Sequence, residues 1–143
     1  MQVHKLNILY VEPFYSGSHK EWIDSYQKHS THNIHILSLP GKKWKWRMHG
    51  GAITLAKKYN EFENKFDIIL CSDMLNLPVF KSLCNDNLSN SKVVMYFHEN
   101  QLSYPWSPLD QDLELKRDLH YYYINYTSSL ISDYNYFNSN YHL

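Results

Sequence analysis

The feature that most constrains the fold is a repeated alternation of short apolar runs with segments of helical spacing. Residues 6–11 (Leu-Asn-Ile-Leu-Tyr-Val), 33–39, 66–71 and 92–97 read as strands, with a weaker fifth over 134–138. Between the first two, Ser18 and Glu21 fit a capping box, and Trp22, Ile23 and Tyr26 follow at helical spacing. Ala52, Leu55, Ala56, Tyr59 and Phe62 form one apolar face over 51–64. A short helix is predicted over 78–84. Ser107-Pro108 has the cap-then-proline form of a helix start. The helix that follows carries Leu115, Leu119, Tyr122, Tyr126 and Leu130 on one stripe, and residues 139–143 read as the start of another. Such alternation predicts an α/β fold with a mostly parallel sheet flanked by helices. The central runs are continuous rather than alternating, as strands buried on both faces should be. Ligands on such sheets sit outside the carboxyl ends of the strands. That places 13–19, 40–47, 72–77 and 98–104 around one rim.

At 143 residues the chain reads as one domain spanning 1–143. Lys plus Arg and Asp plus Glu are each 14, so a uniformly polycationic nucleic-acid binder is excluded and only a local basic patch remains possible. Two cysteines, Cys71 and Cys84, show no CxxC spacing, and Cys71 within its apolar run reads as a buried thiol. No signal-peptide pattern and no membrane-length apolar run are present, so the expectation is a soluble, cytoplasmic protein without membrane contact. There is no GxGxxG, no P-loop, no HExxH and no GxSxG. A receiver-type phosphoacceptor site wants clustered acids after the first strand, where Glu12 stands alone. His4, His29, His32, His35, His49, His120 and His142 show no metal spacing; no metal and no cofactor are expected. The run 121–123 (three Tyr) reads as helix packing.

Three stretches could carry chemistry. In Tyr15-Ser16-Gly17-Ser18-His19 a glycine at a strand-to-helix turn lets a ligand approach, and a helix N-terminus offers N–H groups to an anion; an ordinary capped turn has the same spacing. Lys42, Lys43, Trp44, Lys45, Trp46 and Arg47 put four cations and two indoles on the rim, suited to phosphates and bases, or to a solvated loop whose Trp residues pack inward. His98, Glu99, Asn100 and Gln101 follow directly on a buried strand, where His and Glu could exchange a proton or anchor a hydroxyl; a polar strand-end turn would have the same composition.

Together Glu-Pro-Phe-Tyr-Ser-Gly-Ser-His at 12–19, Leu-Pro-Gly-Lys-Lys-Trp-Lys-Trp-Arg at 39–47 and Tyr-Phe-His-Glu-Asn-Gln-Leu-Ser-Tyr-Pro at 96–105 resemble the N-terminal domain of the tRNA-queuosine α-mannosyltransferase family. The closing Phe137-Asn138-Ser139 fits the same pattern. The resemblance implies a GT-B glycosyltransferase with a Rossmann-like N-terminal half facing the acceptor. The donor-binding C-terminal half would lie elsewhere, as a separate chain or beyond this stretch, or the chain would self-associate. It implies mannose transfer from GDP-mannose to queuosine in tRNA with retention. His98 would contact the transferred sugar and Glu99 would serve as the candidate base. Ser16, Gly17, Ser18, His19, Asn100 and Gln101 would bind substrate, and 42–47 would bind tRNA. On this reading the 143 residues alone transfer no sugar. The alternatives are a non-catalytic RNA-binding or regulatory remnant using 42–47, and an unrelated flavodoxin-like ligand domain.

Overall fold

The computed structural model describes residues 4–140. Five parallel strands lie in the order β2-β1-β3-β4-β5. They are β1 (Asn7–Tyr15), β2 (Asn33–Pro40), β3 (Ile68–Ser72), β4 (Lys92–Phe97) and β5 (Tyr134–Phe137). The helices are α1 (Gly17–His29), α2 (Trp44–Tyr59), α3 (Leu77–Leu83), α4 (Gln111–Glu114) and α5 (Asp118–Ile131). The α/β architecture and parallel sheet agree with the alternation in the sequence, and the arrangement is Rossmann-like.

The two faces of the sheet are covered unequally. Side chains alternate along each strand, so Leu9, Val11, Ile69, Cys71, Val93 and Met95 point to one face and pack under Leu55, Tyr59, Leu77 and Phe80 of α2 and α3. Ile8, Tyr10, Leu70 and Val94 point to the other, against Ile23, Trp22 and Tyr26 of α1. Beside α1, a groove of about 370 Å³ remains, walled by Ile68, Tyr96, Tyr134 and Tyr136. Cys71 is buried and unpaired, as its apolar run predicts.

Four local readings need correction. First, β1 runs on to Tyr15, through the segment read as a loop, with an irregular pairing to β2 between Glu12 and Tyr15. The helix that follows is capped by Ser16 rather than Ser18, without a side-chain bond, so the capping box does not form. Second, α2 begins at Trp44, not near residue 51, so four of the six residues 42–47 belong to a helix. Lys43, its cap, has φ 53. Third, Ser107-Pro108 lies in a turn, and Asp110 caps α4 by accepting from the Asp112 amide. Fourth, the stripe Leu115, Leu119, Tyr126 and Leu130 is exposed. The face of α5 that turns inward is Tyr121, Ile124, Asn125 and Ser128. It docks through polar bonds: Asn125 donates to the Asp73 carbonyl at 2.8 Å and accepts from the Gln101 amide at 3.2 Å, while the Ser128 hydroxyl accepts from the Leu77 amide at 3.1 Å. Residues 139 and 140 form no helix; 141–143, including His142, lie outside the described residues.

Candidate active site at the carboxyl rim

A cavity of about 240 Å³ opens at the carboxyl ends of the strands. Its walls are Phe14, Ser16, Gly17, Ser18 and His19 from the β1–α1 turn, Trp44 and Met74, and Glu99, Gln101 and Tyr104 from the segment after β4. The parallel sheet delivers these segments to one rim, so motifs far apart in sequence meet there. Gly17 takes φ 53 in open space, a conformation that glycine adopts without strain. Gly41, at the end of β2, sits so close to Ser16 that a Cβ there would lie 2.1 Å from the Ser16 Cβ. The β2–α2 turn therefore buttresses the β1–α1 turn.

Beneath the cavity lies a buried polar cluster centred on Glu12, which is fully buried. One carboxylate oxygen accepts from the Ser72 hydroxyl at 2.9 Å and the Phe14 amide at 2.8 Å. The other accepts from the Tyr10 hydroxyl at 2.9 Å and lies 2.9 Å from His19 Nδ1. His98 Nε2 lies 3.4 Å from the same Tyr10 hydroxyl, and the His98 amide donates to Asp73 Oδ1 at 3.1 Å. The imidazoles of His19 and His98 lie against each other, centroids 4.1 Å apart and planes tilted by 32°. Trp22 and Tyr96 pack edge-on to His98.

The electrostatics follow from burial and charge. Burial acts to lower the His19 pKa, but the bond to Glu12 and its charge outweigh it and push the value up to about 9. Burial and the neighbouring His19 charge take His98 down to about 3. Burial pushes Asp73 up to about 7, and its Oδ2 has no partner among the described residues. Gln101 lines the cavity, and its buried Oε1 likewise has no partner among the described residues.

The structure thus gathers Ser16, Gly17, Ser18, His19, Glu99 and Gln101 around one cavity. Asn100 accepts from the Leu102 amide, holding the turn rather than lining the wall. His98 lies behind His19 and is not on the wall. The basic-aromatic stretch divides. Lys42 and Lys43 are exposed, and Trp46 is 73% exposed. Trp44 turns inward against Trp106 and Tyr121. Lys45 is held by Asp110 and Asp112 at 2.8 and 2.6 Å, above the rings of Trp44 and Trp106. Arg47 donates to the Pro40 carbonyl at 3.1 Å. Tyr10, Glu12, Ser72 and Asp73 were not legible as site residues. The available signal was an acid directly after an apolar run, seven residues before a histidine.

Glu12, His19 and His98 offer ligand atoms within 4.8 Å of one another, the spread a metal ion would need. The donor chemistry does not fit one. The Glu12 oxygens already accept from the Tyr10 and Ser72 hydroxyls and the Phe14 amide, with His19 Nδ1 in contact as well, so the carboxylate has little left to offer an ion.

A family model described as tRNA-queuosine alpha-mannosyltransferase N-terminal matches residues 7–143. A curated relative from Drosophila melanogaster, tRNA-queuosine alpha-mannosyltransferase, is 36% identical over 140 residues, which is 97% of this chain and 35% of the relative. The chain therefore spans about a third of that relative's length. No solved structure matches the chain. By its matched length and its motif-lined rim, the chain belongs to the family of N-terminal domains of tRNA-queuosine alpha-mannosyltransferases.

Proposed function

We propose that this chain forms the acceptor-facing half of a retaining mannosyltransferase that acts on queuosine in tRNA, in the cytoplasm. GDP-mannose would be bound mainly by a second half in a GT-B arrangement. The observation that carries this reading is the convergence of the 12–19 turn, Trp44 and the 98–104 turn on a single rim cavity, in a chain matched to the family over 7–143. Retention requires the acceptor hydroxyl to attack from the face that the diphosphate leaves. The site must then stabilise an oxocarbenium-like sugar and a departing anion. Glu99, on the wall, orients the acceptor hydroxyl. Gln101, also on the wall, contacts the substrate. The N-terminal turn of α1 and His19 face the developing negative charge. His98 supports His19 from behind. Lys42 and Lys43, with the exposed Trp46, meet the RNA backbone and a base.

Mannosyl transfer from GDP-mannose to queuosine-containing tRNA is expected from a full-length relative and not from the 143 residues alone. Transfer by the short chain would overturn the division of labour proposed here. Glu99→Gln in the full-length relative should lower kcat at least tenfold with tRNA affinity unchanged.

A second reading, RNA binding without catalysis, is favoured by the exposure of Trp46 beside two cations without ion pairs among the described residues. Replacing Lys42 and Lys43 by Ala should reduce the salt slope of tRNA binding by about two, one per phosphate contact. Binding with no catalysis in any full-length relative would favour this reading.

A further inference from the structure

We propose that Tyr10, Glu12, His19 and His98 act as one hydrogen-bonded unit in which Glu12 and Tyr10 are positioning residues: Glu12 holds His19 as a doubly protonated donor at the cavity wall, and Tyr10 holds His98 behind it as the neutral Nε2–H tautomer. Its consequence for catalysis rests on the function proposed above; the proton positions do not.

The hydrogens can be placed one at a time. Glu12 is fully buried, and among the described residues His19 is its only ion-pair partner. A buried carboxylate needs a counter-charge, so His19 carries one. The His19 Nδ1–H donates to Glu12 Oε2 at 2.9 Å, which leaves Nε2–H as the donor that a ligand can meet. The Tyr10 hydroxyl has one proton. At 2.9 Å it goes to the same carboxylate oxygen, which has none of its own to offer. The Tyr10 oxygen can then only accept from His98, so the His98 proton sits on Nε2, 3.4 Å away. Two cationic rings with centroids 4.1 Å apart would repel, so His98 stays neutral beside a charged His19. The other acidic groups that act on His19, Asp73 and Glu99, favour the same distribution.

The cavity wall therefore holds a charged donor in His19, and Gln101, another wall residue, keeps its Oε1 buried and without a partner among the described residues. A charged donor there suits a ligand that carries an anionic oxygen. His98, expected from the sequence to touch the sugar, becomes a neutral support.

The test is the two-bond proton–nitrogen NMR spectrum of the histidines in the 143-residue chain over about pH 5 to 8, the window in which free imidazole titrates. His19 should show two protonated nitrogens up to the top of that range. His98 should show a protonated Nε2 and an unprotonated Nδ1 down to its bottom. Tyr10→Phe should release the lock and give His98 averaged shifts. Glu12→Gln should leave His19 with one unprotonated nitrogen near neutral pH. An Nδ1–H tautomer at His98, a neutral His19 at pH 7, or a Tyr10→Phe spectrum identical to the parent would overturn the proposal. So would one equivalent of Zn²⁺ binding to the unit with loss of the His19 protons. If either variant fails to fold, the parent spectrum alone decides.

Discussion

At the scale of single residues, the molecule is organised by one acid that the sequence shows without its company. Glu12 is flanked by Val11 and Pro13, and nothing nearby marks it as a hub. Its donors come from Tyr10 within β1, the Phe14 amide, His19 in α1 and Ser72 at the end of β3. Motif reading found His19 and His98 because their strings are distinctive; it could not find Ser72 or Asp73, whose role depends on a strand that arrives from elsewhere in the chain. The cluster has a pH signature. His19, raised to about 9 from 6.5, contributes stability that is complete below pH 6.5 and lost as pH rises through 9. A urea midpoint should therefore fall between those values, by roughly 1–3 kcal/mol of stability. Glu12→Gln should flatten that dependence. Gln101→Met should leave stability unchanged or slightly raised, because its buried Oε1 bonds nothing among the described residues, yet lower turnover in a full-length relative. Loss of stability without loss of turnover would remove Gln101 from the site.

At the scale of elements, strands were legible and helix faces were not, for physical reasons. Continuous apolar runs such as 92–97 mark an inner strand of a parallel sheet, and β4 matches that run residue for residue. The start of α2 was hidden because Lys42 and Lys43 look like solvated loop and no side chain caps the helix. The orientation of α5 was hidden because its inward face is anchored by Asn125 and Ser128, while its leucines face out. Stability measurements can separate the two faces. Asn125→Ala strands the Gln101 amide and the Asp73 carbonyl and should cost about 2–4 kcal/mol, whereas Tyr126→Ala, on the predicted but exposed stripe, should cost under about 0.5 kcal/mol. Equal costs would mean that the helix is turned the other way. Gly41→Ala would drive a methyl into Ser16 and should cost about 1–3 kcal/mol by overpacking, with disturbance of the cavity as well as of the turn.

At the scale of the whole molecule, the parallel sheet is dressed on one face by α2 and α3 and, among the described residues, on the other by α1 alone. Tyr134 and Tyr136 on the edge strand are 53% and 55% exposed beside the groove. The chain should bind an environment-sensitive apolar dye while fully folded, and a Tyr134→Thr, Tyr136→Thr double variant should lose most of that fluorescence without a change in the unfolding midpoint. No helix among the described residues is long and apolar enough to cross a membrane.

The open face also has a consequence in time. In the Drosophila relative this stretch corresponds to 35% of the length and matches an N-terminal domain model. It leaves the ribosome first, with its aromatic edge uncovered, and synthesis of the remainder at roughly 5–20 residues per second takes about 10–60 s. Wherever this stretch is followed by a second half, Tyr134 and Tyr136 leave an adhesive edge open for tens of seconds, and yield should depend on translation speed and on holding chaperones more than that of a sheet closed on both sides.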